Sequence, residues 1–275
     1  MITNIIYYLY NIRIDYLRYI NDKYVFSYNN DIYLFKEVFV PEEYLQFIIR
    51  SNDLFHVVIK GKNNRYITVY RDKRYILMKV KIRENRFVLF DDFYKMKNYI
   101  VQTTYFSSFN WLELWKRKID QIEDYVSHHS FDIYILSIIN YFIGLGELSI
   151  NILNSLNQNE IIPLSYAHKR MNFNCDLYSY YDASNIIIDH YTRDIGEYIK
   201  DLIIKNKFNN KVINFSVFSY LDRILLISRI IFPSYFFDLF DKFILEKKDF
   251  NNLDKYIINI DKYDEAILSI LNFIK

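Results

Sequence analysis

The residues able to do chemistry are few, and most are carboxylates, lysines and histidines. Asp182, ahead of Ala183-Ser184-Asn185, and Asp189 offer carboxylate oxygens of the kind that hold Mg²⁺. An Asp before Ser and Asn is also an ordinary turn residue. Lys36 follows the run Ile32–Phe35, and Glu42 or Glu43 opens the next helix, where an acid could pair with it. The alternative is an exposed lysine and an acid that suits a first helical turn. His168, Arg170, Cys175 and Asp176 lie within nine residues of one another. Adjacent His128 and His129 cannot share a helix face, which argues against zinc. No G-x-S-x-G nucleophile elbow accompanies the serines and histidines. Cys175 is the sole cysteine, which excludes an intramolecular disulfide framework, a Cys-rich zinc module and a C-x-x-C redox site. Placed near His168 and His190 it could be a nucleophile, but a lone cysteine is more often a small buried hydrophobe.

Composition bounds the rest. Hydrophobic residues make up 52% and charged residues 25% of 275 residues, which fits a globular chain with a sizeable core. Thirty-five basic against 33 acidic residues leave a net charge of +2, so nucleic-acid or membrane binding driven by overall charge is not indicated. Aromatics reach 19%. The favoured residues, Ile, Asn, Lys, Tyr and Phe, all have AT-rich codons, so tyrosine-rich stretches say little about stacking on bases or sugars. The first ten residues lack a basic region and a small-residue cleavage site. Ile133–Leu153 is apolar but carries Asn140, Glu147 and Asn151, which reads as a buried helix rather than a membrane span. A cytoplasmic location is the resulting expectation.

The elements that must position these groups change character along the chain. Ile5, Leu9, Ile12, Tyr16 and Ile20 predict a helix over residues 1–20. Lys23–Tyr28 and Ile32–Val40 read as strands around the turn Asn29-Asn30-Asp31. Pro41-Glu42-Glu43 opens a helix. His56–Ile59, Arg65–Tyr70, Arg74–Ile82 and Arg86–Phe90 continue the strand pattern, with a tight turn at Arg71-Asp72-Lys73. Beyond residue 105 the period turns helical, with stripes through Trp111, Trp115, Ile119, Ile122 and Val126, and through Ile135, Ile138, Ile139, Phe142 and Ile150. Further helices are predicted at 193–206, 216–230, 234–247 and 261–274. The expected organisation is a β-rich lobe over 1–100 and a larger α-helical lobe over 101–275.

Four segments in order carry a family resemblance. They are Phe109–Glu123, Tyr141–Ile150, Tyr181–Lys200 and Arg229–Asp238. Together they resemble the bacterial spore coat protein S family, kinase-like proteins related to aminoglycoside and choline phosphotransferases. The resemblance implies an α+β, two-lobed protein-kinase-like fold, and the β-then-α order allows it. It also implies phosphoryl transfer from ATP with Mg²⁺, a chemistry made mostly of positioning and charge neutralisation.

Placed on this chain, the family's parts are incomplete. The resemblance puts a nucleotide lysine at Lys36, partnered by Glu43 or Glu42, and a metal aspartate at Asp182. Glycine occurs only at 61, 144, 146 and 196, so no Gly-rich phosphate loop exists near the first hairpin. Active relatives read His-Gly-Asp, with an Asn five residues after the Asp. One alignment uses His168-Lys169-Arg170, which puts a guanidinium where the base should be and Cys175 where the Asn should be. The other takes Asp176 as the base, with Tyr181 at the Asn position. Asp194 resembles the aspartate that starts a buried helix and hydrogen-bonds the catalytic-loop backbone. The combined losses imply a degenerate kinase, a pseudokinase acting as a binding or scaffold protein with spore-coat or other protein partners. An active ATP- and Mg²⁺-dependent phosphotransferase is the alternative. A third reading is a binder of nucleic acid or of an acidic partner through residues 60–86, where ten Lys and Arg face only Asp72 and Glu84. Nucleic acid is the less favoured of its two partners. The same alternation fits the solvent face of a half-buried sheet.

Overall fold

The computed structural model describes residues 2–51, 53–84, 86–102, 110–156, 161–209, 213–251, 253 and 260–273. Phe109, at the start of one family segment, and residue 274, at the expected end of the last helix, lie outside the described residues. The chain divides into two compact units. One comprises Met1–Leu89 with Asn174–Ile187; the other comprises Phe90–Phe173 with Ile188–Lys275.

The first unit is an antiparallel sheet with two helices. Its strands are β1 (Arg18–Ile20), β2 (Lys23–Tyr28), β3 (Asp31–Glu37), β4 (Val57–Ile59), β5 (Thr68–Tyr70) and β6 (Lys73–Lys79). They run in the order β1-β2-β3-β6-β4, with β5 also on β6. Three two-residue turns set the registers. Asn21-Asp22, Asn29-Asn30 and Arg71-Asp72 all take positive φ, the geometry that two-residue hairpins need and that Asn and Asp tolerate. Helix α1 (Ile2–Tyr10) lays Ile5, Ile6, Leu9 and Tyr10 against Phe26, Phe35, Tyr75 and Leu77 of the sheet. Phe35 and Tyr75 stack at 4.9 Å.

That helix is shorter than its apolar spacing predicts. Asn11 takes φ 61° and ends it, and Arg18–Ile20 joins the sheet instead. Helix α2 (Glu42–Ser51) starts as expected, with Glu42 and Glu43 in its first turn. The returning segment holds on through backbone bonds. His56 N donates to Tyr181 O at 3.0 Å, and Val88 N donates to Cys175 O at 2.8 Å.

The second unit is helical. It contains α3 (Phe90–Lys97), α4 (Trp111–Ser127), α5 (Ile133–Asn154), α7 (Thr192–Ile204), α8 (Tyr220–Ile231), α9 (Ser234–Leu245) and α10 (Ile260–Leu271). The short α6 (Leu177–Tyr180) belongs to the returning segment of the first unit. Strand β7 (Ser165–His168) pairs with β8 (Ile186–Asp189). Helix α3 replaces a predicted strand end, with Asp91 and Asp92 in its first turn and Lys95 and Lys97 in its last. Trp115 stacks on Phe232 at 4.3 Å. Helix α5 is the one described helix long and apolar enough to cross a membrane by length and composition. Its Ile139 and Phe142 are fully buried, Phe142 stacks on Phe236 at 4.1 Å, and Asn140, Glu147 and Asn151 lie exposed. An antiparallel sheet in the amino-terminal region and a helical carboxy-terminal part make the mixed α+β class expected from sequence.

Candidate functional site

Lys36 stands on β3 opposite Ile76 of β6. Its Nζ donates to Asp182 Oδ2 at 2.8 Å. Asp182 caps a single 3-10 turn, Ala183–Asn185, and its Oδ1 accepts from Ser184 N at 2.9 Å and Ser184 Oγ at 2.6 Å. Burial by itself would push this carboxyl up. The charge of Lys36 and the donors on Lys36 and Ser184 outweigh it and hold the carboxyl below the usual range. The two residues that the family resemblance implies for nucleotide and metal are thus bonded to each other. The acids of α2 lie elsewhere: Glu43 is exposed, and Glu42 Oε1 accepts from Tyr66 N at 3.2 Å.

Asp176 lies in the same unit and caps α6, accepting from Ser179 N at 2.8 Å and Ser179 Oγ at 3.0 Å. Asn21 Nδ2 donates to it at 3.1 Å, and Lys23 Nζ sits 3.4 Å from Oδ1. Lys23 is almost fully buried and also bonds Ser179 Oγ. Burial raises the Asp176 carboxyl, but Lys23 and these donors bring it below the ordinary value. Every bond it makes favours the ionised, capping form over a proton-accepting one.

His56 sits in the field of both pairs and is 2% exposed. Its Nδ1 accepts from Lys81 N at 3.4 Å, so Nε2–H donates to Tyr178 O at 3.2 Å and the ring is neutral. Burial pushes its pKa down to about 4, against the pull of Asp182. Sequence reasoning missed Lys23, Asn21 and His56. A lysine and an asparagine at a hairpin and a lone histidine carry no local signal of a shared site.

In the second unit, His168 ends β7 and Asp194 opens α7. Asp194 Oδ1 accepts from His168 N at 2.8 Å, and its Oδ2 accepts from His168 Nδ1–H at 2.6 Å. This is the backbone contact that the family resemblance implies for Asp194. Arg193 reinforces it, with Nε donating to His168 O at 3.1 Å and Nη2 to Lys169 O at 3.3 Å. Two residues past the held histidine, the Arg170 side chain is 86% exposed and lies 3.5 Å from Asp238. Asp189 is fully buried and engaged on both oxygens: Oδ2 accepts from Trp111 Nε1 and Arg193 Nη1, each at 3.0 Å, and Oδ1 from His190 N at 2.7 Å. Lys36, Glu43, Asp176 and Asp182 therefore belong to the first unit and His168 to the second. Among the described residues no group of three or more His, Cys, Asp or Glu is placed to hold a metal ion.

Residues 3–268 match the family described as spore coat putative kinase YutH. The chain belongs to that family. Solved structures share its fold. An aminoglycoside phosphotransferase from Alicyclobacillus acidocaldarius is similar with a TM-score of 0.67 and 11% identity, covering 96% of this chain and 94% of that one. The AMP-bound spectinomycin phosphotransferase APH(9)-Ia gives a TM-score of 0.55 at 11% identity, covering 99% and 92%. The amicoumacin kinase hAmiN, in complex with AMP-PNP, Ca²⁺ and Ami, gives 0.54 at 9% identity, covering 100% and 92%. No curated protein matches by sequence. At these identities the neighbours establish an aminoglycoside-phosphotransferase-like kinase fold and nothing finer. The protein is therefore kinase-like in fold and a member of a spore-coat family.

Proposed function

We propose that this protein is a degenerate kinase that serves as a binding or scaffold component, associated with the spore coat where the host sporulates and cytoplasmic when made. The observation that carries this reading is Arg170. Asp194 and Arg193 hold the backbone at His168 as a catalytic loop is held, yet the residue two positions on is an arginine. A guanidinium stays protonated and cannot take a proton from an acceptor hydroxyl. Asp189, with three donors on two oxygens, is not available to a metal without losing them. The absence of glycine before Gly61 removes the flexible phosphate cradle.

Active transfer remains the second reading because Lys36 and Asp182 sit together on the first unit. ATP would lie against Lys36 and Mg²⁺ against Asp182, by analogy with the AMP-bound and AMP-PNP-bound structural neighbours. The test is a thermal-shift titration with ATP, with and without Mg²⁺. The degenerate reading expects no Mg²⁺-dependent rise in Tm. A rise abolished by Asp182→Ala would overturn it. The basic segment at 60–86 does not favour nucleic acid. Lys73, Lys79, Lys81, Arg83 and Arg86 pair with Glu37, Asp31, Asp53, Asp31 and Glu84. Lys60, Lys62 and Arg71 lie over tyrosine rings of the same unit.

A further inference from the structure

The ten Lys and Arg of residues 60–86 divide into two groups of five. Lys73, Lys79, Lys81, Arg83 and Arg86 meet carboxylates of their own unit. Lys60, Lys62, Arg65, Arg71 and Arg74 meet none among the described residues. These five gather around β5. Lys60, Lys62 and Arg65 precede the strand, Arg71 follows it, and Arg74 stands opposite Val69 on β6. The acids nearby are Asp72, beside Arg71 in the turn, and Glu42, which accepts from Tyr66 N at 3.2 Å. The whole first unit is positive, with fifteen Lys and Arg against eleven Asp and Glu.

A cavity of about 310 Å³ opens at the edge of this strand, lined by Tyr8, Leu9, Lys62, Asn63, Thr68 and Val69. Lys62 N donates to Leu9 O at 2.9 Å, which holds the loop before β5 against α1. Tyr8 and Val69 are 63% and 57% exposed. The edge also carries free backbone groups. Arg74 O accepts from Val38 N at 2.8 Å, so Arg74 turns its backbone toward β3. Val69 and Arg74 are therefore a non-hydrogen-bonded pair of the β5–β6 hairpin, and Val69 N–H and C=O point away from β6. Neither is bonded among the described residues. A strand edge of this kind is a template for a further strand.

The tyrosine rings of this surface are already covered by cations. Lys62 and Arg13 each lie 5.3 Å from the Tyr7 ring centre, Lys60 lies 5.1 Å from that of Tyr66, and Arg71 lies 5.5 Å from that of Tyr70. Rings occupied in this way are closed to stacking on bases, while the cations still attract negative charge. An edge that offers one donor and one acceptor fits a peptide backbone, which has both; a phosphate backbone has acceptors only. We propose that the β5 edge and the cavity beside it dock an extended acidic segment of a partner protein, which pairs with Val69 and lays its carboxylates on Lys62, Arg71 and Arg74. This partner chemistry rests on the binding role proposed above.

The experiment is fluorescence anisotropy of the full-length protein with a fluorescein-labelled octapeptide of alternating Glu and Val. Three other probes accompany it: an octapeptide of alternating Lys and Val, the Glu and Val octapeptide methylated on every backbone nitrogen, and a short oligothymidylate. The Glu and Val peptide is expected to bind about tenfold more tightly than any of the three, and more weakly as salt rises. Lys62→Glu, at an exposed residue with no carboxylate partner among the described residues, is expected to weaken it about tenfold with unchanged Tm. Arg71→Asn keeps a residue that tolerates the positive φ of the turn and is expected to weaken it about threefold. Arg18→Glu, on β1 at the opposite edge of the sheet, is expected to leave the affinity unchanged. Equal binding of the Lys and Val peptide or of the methylated peptide, tighter binding of the oligothymidylate, or an unchanged affinity in Lys62→Glu would overturn the proposal. So would dimers of the unmodified protein in sedimentation that Lys62→Glu dissociates, since the surface would then belong to a second copy. A failed peptide with a flat ATP titration strikes this site alone. A Mg²⁺-dependent rise in Tm strikes the degenerate reading, whatever the peptide does.

Discussion

Asp194 holds His168 twice, accepting its backbone N–H at 2.8 Å and its Nδ1–H at 2.6 Å, with both side chains 2% exposed or less. A carboxylate with both oxygens engaged in this way organises the loop ahead of Arg170. Asp194→Ala leaves two buried donors without an acceptor. The expected loss is about 3 kcal/mol of folding stability, read as a lower urea midpoint. Asp194→Asn keeps one acceptor and is expected to lose about half as much.

Lys36 and Asp182 form the corresponding pair of the first unit, at 2.8 Å. Lys36→Met strands a buried carboxylate and is expected to cost about 3 kcal/mol at pH 7. The Asp182 carboxyl is lowered in the folded protein, so its contribution is present above the ordinary value of 3.8 and is lost as pH falls below it. The gap between wild type and Lys36→Met should therefore be widest near neutrality and close in acid. Urea unfolding at several pH values measures it, and a gap independent of pH would show that the pair is not ionic.

His56 predicts a second acid-sensitive step. Its folded pKa is about 4 against 6.5 unfolded, so the unfolded chain binds the extra proton first as pH falls. Its contribution is complete above pH 6.5 and is lost between 6.5 and 4, up to about 3 kcal/mol. His56→Gln, which can still accept from Lys81 N and donate to Tyr178 O, is expected to flatten the stability profile across that window.

Gly196 sits where α7 meets α8. A Cβ there would come within 2.8 Å of Arg229 Cγ and 3.1 Å of Arg229 Cβ, atoms near the root of that side chain. Gly196→Ala would gain helix propensity, about 1 kcal/mol. The overpacking is expected to exceed it, giving a net loss of about 1–2 kcal/mol. It would also shift Arg229 from Glu197. A thermal melt reports the net loss.

Arg170→Asp puts a carboxylate at the position two residues past His168. On the degenerate reading this single change does not create phosphoryl transfer, because Asp189 stays bound to Trp111 and Arg193 and no Gly-rich cradle is present. ATP turnover by the variant should equal that of the unmodified protein. Turnover well above it would mean that only the base had been missing.

Much of the local structure is legible in the residues. Asn29-Asn30 announces its hairpin because both positions must take positive φ, which asparagine tolerates. Helices α7 to α10 follow from apolar spacing alone. Two elements mislead for identifiable reasons. The spacing of Ile12, Tyr16 and Ile20 continues a helical stripe, yet Asn11 breaks the chain at φ 61° and Ile20 enters the sheet. The run Arg86–Phe90 looks strand-like, but only Phe87 makes a bridge, and Asp91 and Asp92 start a helix at Phe90.

The amino-acid sequence by itself determined the fold family, the absence of glycine before Gly61 and the arginine past His168, because each is a matter of which residue stands where. Tertiary structure alone decided which charge answers which. Lys36 meets Asp182, 146 positions away, instead of the acid six or seven residues on. Lys23 meets Asp176, and Lys200 and Arg229 divide a single Glu197. Local patterning cannot encode such pairings. They depend on where Asn174–Ile187 returns to the sheet and how α7 lies on α8, and burial gives each ion pair its weight only after that packing exists.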